Sequence, residues 1–223
     1  MMPAHPRKRP SSSATQEDMT PHRVRRSAEE ARRAILAVAE KHLAHGGPAA
    51  VRVQVIAREV GISDAGVHHH FGNRQGLLEA LIRHAARSLR AETTSVLEDW
   101  NGDPSGLHRL ADGIAAIYAD RGYARLALWL SEDGWKSRGS GIFEPLVDAV
   151  HRARLTRARL DGRVRPKRED AQFAVAMLNL TLSADPLMGS GFLRSVQLPE
   201  DPETRARFRR WLVRTLVSVL LPD

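Results

Sequence analysis

Val53-Gln54-Val55-Ile56-Ala57-Arg58-Glu59-Val60-Gly61-Ile62-Ser63-Asp64-Ala65-Gly66-Val67-His68-His69-His70-Phe71 is the stretch that decides the fold. Val53, Ile56, Ala57 and Val60 make one apolar face over about two helical turns. Gly61-Ile62-Ser63 breaks that run. Ser63 is a good N-cap for a second helix, on which Val67 and Phe71 stand four residues apart as core positions. Two short helices across a tight turn form a helix-turn-helix layout. The first helix packs across the second and braces it. The second begins with small residues (Ser63, Asp64, Ala65, Gly66), so its backbone can approach DNA closely. The major groove admits an α-helix and carries a full code on its base edges.

The flanking sequence supplies the rest of the frame. On the N-terminal side, Ser27-Ala28-Glu29-Glu30 fits a capping box. Ile35, Val38, Ala39, His42 and Leu43 then recur at helical spacing until Gly46-Gly47-Pro48 stops the helix. On the C-terminal side, Gly72-Asn73 ends the second short helix. Asn73 then caps a long one carrying Leu77, Leu78, Leu81, Ile82, Ala85 and Leu89, running to about Trp100. Asn101-Gly102-Asp103-Pro104 is a break. Leu107, Leu110, Ile114 and Ile117 mark a further helix, and Arg121-Gly122 separates it from an apolar segment, Tyr123 to Leu130. Gly134 to Gly141 reads as loop, and Ile142 to Leu160 as a helix closed by Asp161-Gly162. Glu169 to Ala184 is apolar nearly all round, so it needs cover on most sides. Asp185 to Asp201 reads as a Gly/Pro-containing connection, and Pro202 starts a final helix with a stripe from Phe208 to Leu220. No alternating strand pattern interrupts this. The predicted fold is all-α, with about nine helices.

Composition bounds the function classes. The chain has 223 residues, no cysteine, 42% hydrophobic and 27% charged residues, enough to fold around a real core. Zero cysteine excludes a disulfide scaffold, a Cys-ligated zinc site and a thiol nucleophile. The longest uncharged stretch, Ala171 to Ala184, is 14 residues. That is short of the ~18–20 needed to span a bilayer. No apolar run follows the basic N-terminus, so no secretory signal is expected, and the expected location is cytoplasmic. The net charge is +8, of which +4 lies in residues 1–26, a Pro/Ser/Thr-rich segment expected to be a disordered basic tail. Met19 is a possible alternative start. A basic tail suits an anionic partner such as nucleic acid, and equally a solvated leader. Thirty of the 34 basic residues are Arg, a bias that GC-rich coding also produces.

Gln54 to Ser63, followed by Gly66-Val67-His68-His69-His70-Phe71-Gly72-Asn73-Arg74 and Leu77, resembles the signature of TetR-family transcriptional regulators over roughly residues 27–80. The resemblance implies a three-helix DNA-binding domain over 27–73. It also implies an effector-binding and dimerisation domain over 74–223. It implies that Arg74 contacts phosphate at the start of the fourth helix, and that His68, where Tyr is usual, lies near the DNA backbone. Asp64, Ala65, Gly66 and His69 would face bases. Arg52 stands where Thr or Ser usually precedes the first short helix; it can bind phosphate but cannot cap in the same way. Gln54, Ser63 and His70 complete the candidate DNA-contacting set, His70 having packing as its alternative. Asp64 stands where a base or an amide is common, and its carboxylate repels phosphate but can accept from cytosine N4. Gly66 replaces a frequent Thr at a cost in helix propensity. A metal site on His68-His69-His70 is not expected, because consecutive helical residues point about 100° apart.

Bundle proteins hold ligands between helices in mostly apolar cavities. Trp100, His108, Tyr118, Trp129, Trp135, Phe143, Met177 and Asn179 are candidate effector contacts, with ordinary core as the alternative for each. Asn179 stands out as an amide in an apolar helix, where burial demands a partner. The last two helices carry more apolar area than one subunit can cover, which points to a homodimer. The expected function is a ligand-responsive repressor that binds a palindromic operator as a dimer and is released by a small molecule. Its two recognition helices would lie one DNA turn, about 34–36 Å, apart. A regulator without an effector, or a non-specific DNA binder using the tail, is the alternative. No nucleophile elbow, P-loop, His-Glu-x-x-His or Rossmann glycine pattern points to an enzyme or a cofactor.

Overall fold

The computed structural model describes residues 27–98, 100, 104–136 and 141–220. The basic segment 1–26, Met19 and the Asn101-Gly102-Asp103 break lie outside the described residues. So does the middle of the loop expected over Gly134–Gly141. Among the described residues there are nine helices and no strand: α1 (Ala28–Ala50), α2 (Val53–Val60), α3 (Asp64–Phe71), α4 (Arg74–Glu98), α5 (Pro104–Ala119), α6 (Tyr123–Glu132), α7 (Glu144–Leu160), α8 (Arg168–Ser195) and α9 (Pro202–Leu220).

The helix starts follow local chemistry. Ser27 and Glu30 make a reciprocal capping box, the Glu30 amide donating to Ser27 Oγ at 3.2 Å and the Ser27 amide to Glu30 Oε2 at 2.7 Å. Helical geometry in α1 breaks at Gly47, whose φ of 66° is left-handed, and a short turn carries on to Ala50. Gly61 ends α2 in the left-handed conformation (φ 78°), which a side chain would resist. Ser63 Oγ accepts from the Gly66 amide at 3.2 Å to open α3. Asn73 Oδ1 accepts from the Gly76 amide at 2.8 Å to open α4.

Packing then builds two connected halves. α1, α2, α3 and the start of α4 pack together, with Ile35, Leu43, Ile56, Leu77 and Leu81 fully buried. Each such side chain contributes about 1.5–3 kcal/mol of burial free energy. α4 continues into the second half, where it packs on α5, α6 and α7, while α5 and α7 pack on α8 and α5 on α9. α6 also packs directly on α1. There, Gly122 sits so close to the Leu43 carbonyl oxygen that a Cβ would lie 2.8 Å from it.

One sequence expectation is overturned. α8 does not stop at Ala184 but runs through Pro186 and two glycines to Ser195. The reason is tertiary. Leu178, Leu182, Gly189 and Leu193 continue one buried stripe at helical spacing. Arg205 on α9 donates to the Asp185 carbonyl and carboxylate, both at 3.3 Å, and to Ser190 Oγ, tying the turn around Pro186 to the next helix. Gly189 lets the Asp185 side chain lie against the helix, since a Cβ there would come within 2.2 Å of Asp185 Oδ1. The Ile142 start expected for the following helix is also late by two residues, because Ile142 and Phe143 lie in a turn before Glu144.

Candidate nucleic-acid interface

α3 presents an outer face with little but small residues and imidazoles. Val67 and Phe71 point into the core. Ser63, Asp64, Ala65, His68 and His69 are exposed, and Gly66 and His70 are half-buried. Gln54 on α2 and Arg52, which precedes it without capping it, are also exposed. His68 Nδ1 lies 2.9 Å from the Gly72 carbonyl oxygen. Burial first, then the neighbouring His69 and Arg32, push the His70 imidazole below the ordinary histidine value.

Two fixings here escaped the sequence reading. Arg32 on α1 donates to the His70 carbonyl at 2.7 Å and lies 4.4 Å from the Phe71 ring centroid, clamping the end of α3. His42 on α1 pairs with Glu59 on α2 at 2.7 Å. Both depend on residues far apart in sequence, so no local pattern marks them.

Arg74 sits differently from the rest. Its Nε donates to the Val51 carbonyl at 2.8 Å and its Nη2 to the Pro48 carbonyl. Its guanidinium carbon lies 5.4 Å from the centroid of the Trp129 ring on α6. In this arrangement Arg74 satisfies carbonyls at the end of α1 and bridges to the C-terminal half.

Behind this unit lies a cleft of about 1060 Å³ between α4, α5 and α6 and the segments around Trp135 and Ile142. Leu89, Ile117, Tyr118, Tyr123 and Trp135 form much of its apolar wall, and Glu79, Arg83 and Lys136 supply its charges. Tyr118 donates to Asn179 Oδ1 at 2.7 Å, which answers the demand of the Asn179 amide for a partner. Burial is the main cause raising the Tyr118 phenol above its usual value, and the Asn179 bond opposes it. Asn179 and Phe143 border a second, open cavity of about 440 Å³, and Ile142 borders both. Tyr118 and Asn179 thus span from one cavity to the other. Met177 is 48% exposed on α8, Trp129 lies under Arg74, and Trp100 and His108 are not among the residues around either cavity.

Tyr123 is the cavity residue that sequence reading missed. It is buried, with its hydroxyl beside the Glu40 carboxylate on α1. Burial, then the adjacent Glu40 carboxylate, raises its phenol far above the usual value. Its ring is therefore a wall between the cavity and α1.

Residues 35–81 match the model for bacterial regulatory proteins of the tetR family. Over those residues the chain is similar to the TetR family. The HTH-type transcriptional regulator BetI of Agrobacterium fabrum is 39% identical over 66 residues, 30% of this chain and 32% of that protein. The match thus spans about a third of this curated relative's length. A TetR-family regulator structure from Mesorhizobium loti superposes with a TM-score of 0.56 at 16% identity, covering 87% of this chain and 98% of that one. AibR in complex with isovaleryl coenzyme A and operator DNA superposes with a TM-score of 0.50 at 18% identity, covering 87% and 100%. These two likenesses concern the fold. The TetR match covers α2, α3 and parts of α1 and α4, the elements that build the exposed face described above.

Proposed function

We propose that this protein is a TetR-family, ligand-responsive transcriptional repressor that binds a palindromic operator as a homodimer and is released by a small molecule. One observation carries the reading: α4 joins the two sites. Its first turn packs against α3, and further along Leu89 borders the large cleft. A molecule that fills the cleft and displaces α4 or α6 changes the setting of α3. Only its difference in affinity between the two settings matters. The wall chemistry suits an apolar molecule with a polar end directed at Glu79, Arg83 and Lys136. AibR, with the same fold, holds both isovaleryl coenzyme A and operator DNA.

The DNA-contacting set is Arg52, Gln54, Ser63, Asp64, Ala65, Gly66, His68, His69 and His70, with Arg74 shared between phosphate and the carbonyls it now binds. The effector contacts are Tyr118, Tyr123, Trp135 and Asn179. Dimerisation uses α8 and α9, where Phe173 (64% exposed), Leu180 (69%) and Trp211 (54%) are large apolar groups facing solvent. The location is cytoplasmic; no helix among the described residues is long and apolar enough to cross a membrane.

Binding to duplex DNA flanking the protein's own gene, with and without a library of apolar acids and amides, tests this. A ligand that quenches Trp135 and lowers DNA affinity supports it. Ligands that bind the cleft and leave operator affinity unchanged exclude release by a small molecule.

A further inference from the structure

The positive charge of the chain is not spread evenly. Residues 27–81, which include α1, α2 and α3, carry six basic and six acidic side chains and are neutral. Residues 152–168, from the second half of α7 to the first residue of α8, carry eight basic side chains and one acid, Asp161. That is a net +7 in a chain whose total is +8. A coding bias toward Arg sets the kind of base, not the near-absence of acids.

Internal bonds use part of this charge. Arg154 pairs with Asp170 at 2.8 Å and Arg168 with Asp148 at 2.7 Å. Arg157 and Arg163 share Asp161 at 3.4 and 3.5 Å. Arg152, Arg159, Arg165 and Lys167 are exposed and make no ion pair among the described residues. The C-terminal dipole of α7 is worth about half a charge, so it does not account for these further cations. Arg152 and Arg159 stand seven residues apart, on one face of α7, and Arg165 and Lys167 follow in the connection to α8.

The segment lies away from α3. α7 packs on α4 and α8, and Arg152 borders a groove with Leu97 and Glu98 at the C-terminal end of α4. α4 starts against α3 at Arg74 and has 25 residues. Its two ends are therefore about 36 Å apart. A duplex seated on α3 leaves these cations free. Composition then selects their partner. Residues 152–168 contain no aromatic side chain. They lack the stacking groups that hold single-stranded nucleic acid and the aromatic anchors of membrane-surface and protein-binding patches. Leu160 and Val164 are the only large apolar groups exposed at the turn, and both are aliphatic. Unpaired cations without such anchors are complementary to the phosphates of a duplex, which need charge alone. We propose that residues 152–168 hold a second DNA duplex, so that the protein bridges two DNA segments. The inference goes beyond the reading of α3 as the recognition helix and does not use that helix.

The test compares the full chain with two variants. The triple variant Arg159→Gln, Arg165→Gln, Lys167→Gln removes free cations that hold nothing in the fold. The double variant Ala65→Glu, His69→Glu repels DNA from the exposed face of α3. Residues 1–26 are the same in all, so differences do not come from them. A 30-base-pair duplex of mixed sequence is immobilised, and capture of a second, fluorescent duplex is read over a series of salt concentrations. The wild type is expected to capture it. The triple variant should bind the immobilised duplex as the wild type does and lose the capture. The double variant should keep a weaker affinity whose slope of log K against log salt flattens, when the triple substitutions are added, by about 0.9 for each charge that met phosphate. Circular dichroism establishes that each variant is folded. A triple variant that bridges as well as the wild type, or that loses both duplexes together, overturns the second surface. So does a double variant with no residual affinity, or a wild type that binds one duplex and captures no other, even where it binds phosphatidylglycerol vesicles. A double variant that binds as tightly as the wild type overturns the recognition-helix reading alone, and no binding by any of the proteins overturns both.

Discussion

At the scale of single residues, backbone geometry and local hydrogen bonds decide most outcomes. Gly66 lies inside α3, and a Cβ there meets only Ile62 and Ser63 at ordinary distances of 3.6–3.7 Å. Gly66→Ala should therefore raise stability by about 0.5–1 kcal/mol through helix propensity, read as a higher Tm. Gly76 is the opposite case. A Cβ there would lie 2.0 Å from the Phe71 carbonyl oxygen, so Gly76→Ala should cost about 1–3 kcal/mol by forcing α4 away from α3. His70 adds a pH dependence to stability. Its folded-state value is lowered, so between that value and the unfolded one near 6.5 the unfolded chain binds more protons. Its neutral form supports the fold above that window, and stability falls as pH drops through it. A urea midpoint that declines from pH 7.5 to 5.5 in the wild type, and declines less in His70→Gln, is the expected result. The caps at Ser27, Ser63 and Asn73 were legible in the sequence because each acts within three residues of itself. Arg74 was not, because its carbonyl partners and Trp129 reach it only through the folding of α1 and α6.

At the scale of elements, the helix-turn-helix read cleanly because α2 and α3 announce themselves by spacing and by glycine and serine at their ends. α8 was misread at its second half. Pro186 and two glycines are breakers by local rule, but the helix is held from outside by α9. Arg205→Ala should remove that hold. Amide exchange in 186–195 should accelerate, and stability should fall by about 1–3 kcal/mol, the scale for losing charged hydrogen bonds. Unchanged protection there would mean that the buried stripe alone sustains the helix past Pro186. The cleft was half legible. Tyr118, in a helix, and Trp135, in a loop, were picked out as candidate contacts, whereas Tyr123 was read as one of an apolar run. What marks Tyr123 is its neighbour Glu40, on a helix that no sequence pattern places beside it.

At the scale of the whole molecule, the structure pairs a polar outer face on α3 with a large cleft that shares α4, and leaves large apolar side chains outward on α8 and α9. Those side chains argue for a second copy as their cover. The double variant Phe173→Glu, Leu180→Glu should sediment as a monomer and bind DNA far more weakly than the wild type, while its helical content stays unchanged. The central claim is that α3 reads DNA as one of a symmetric pair, and selection from a randomised duplex library by the full-length protein tests it most directly. The account expects an enriched inverted repeat whose half-sites lie about one helical turn apart, with His69→Ala changing the preferred bases at symmetric positions. Enrichment of no motif over random duplex, or of a motif that His69→Ala leaves untouched, would contradict it.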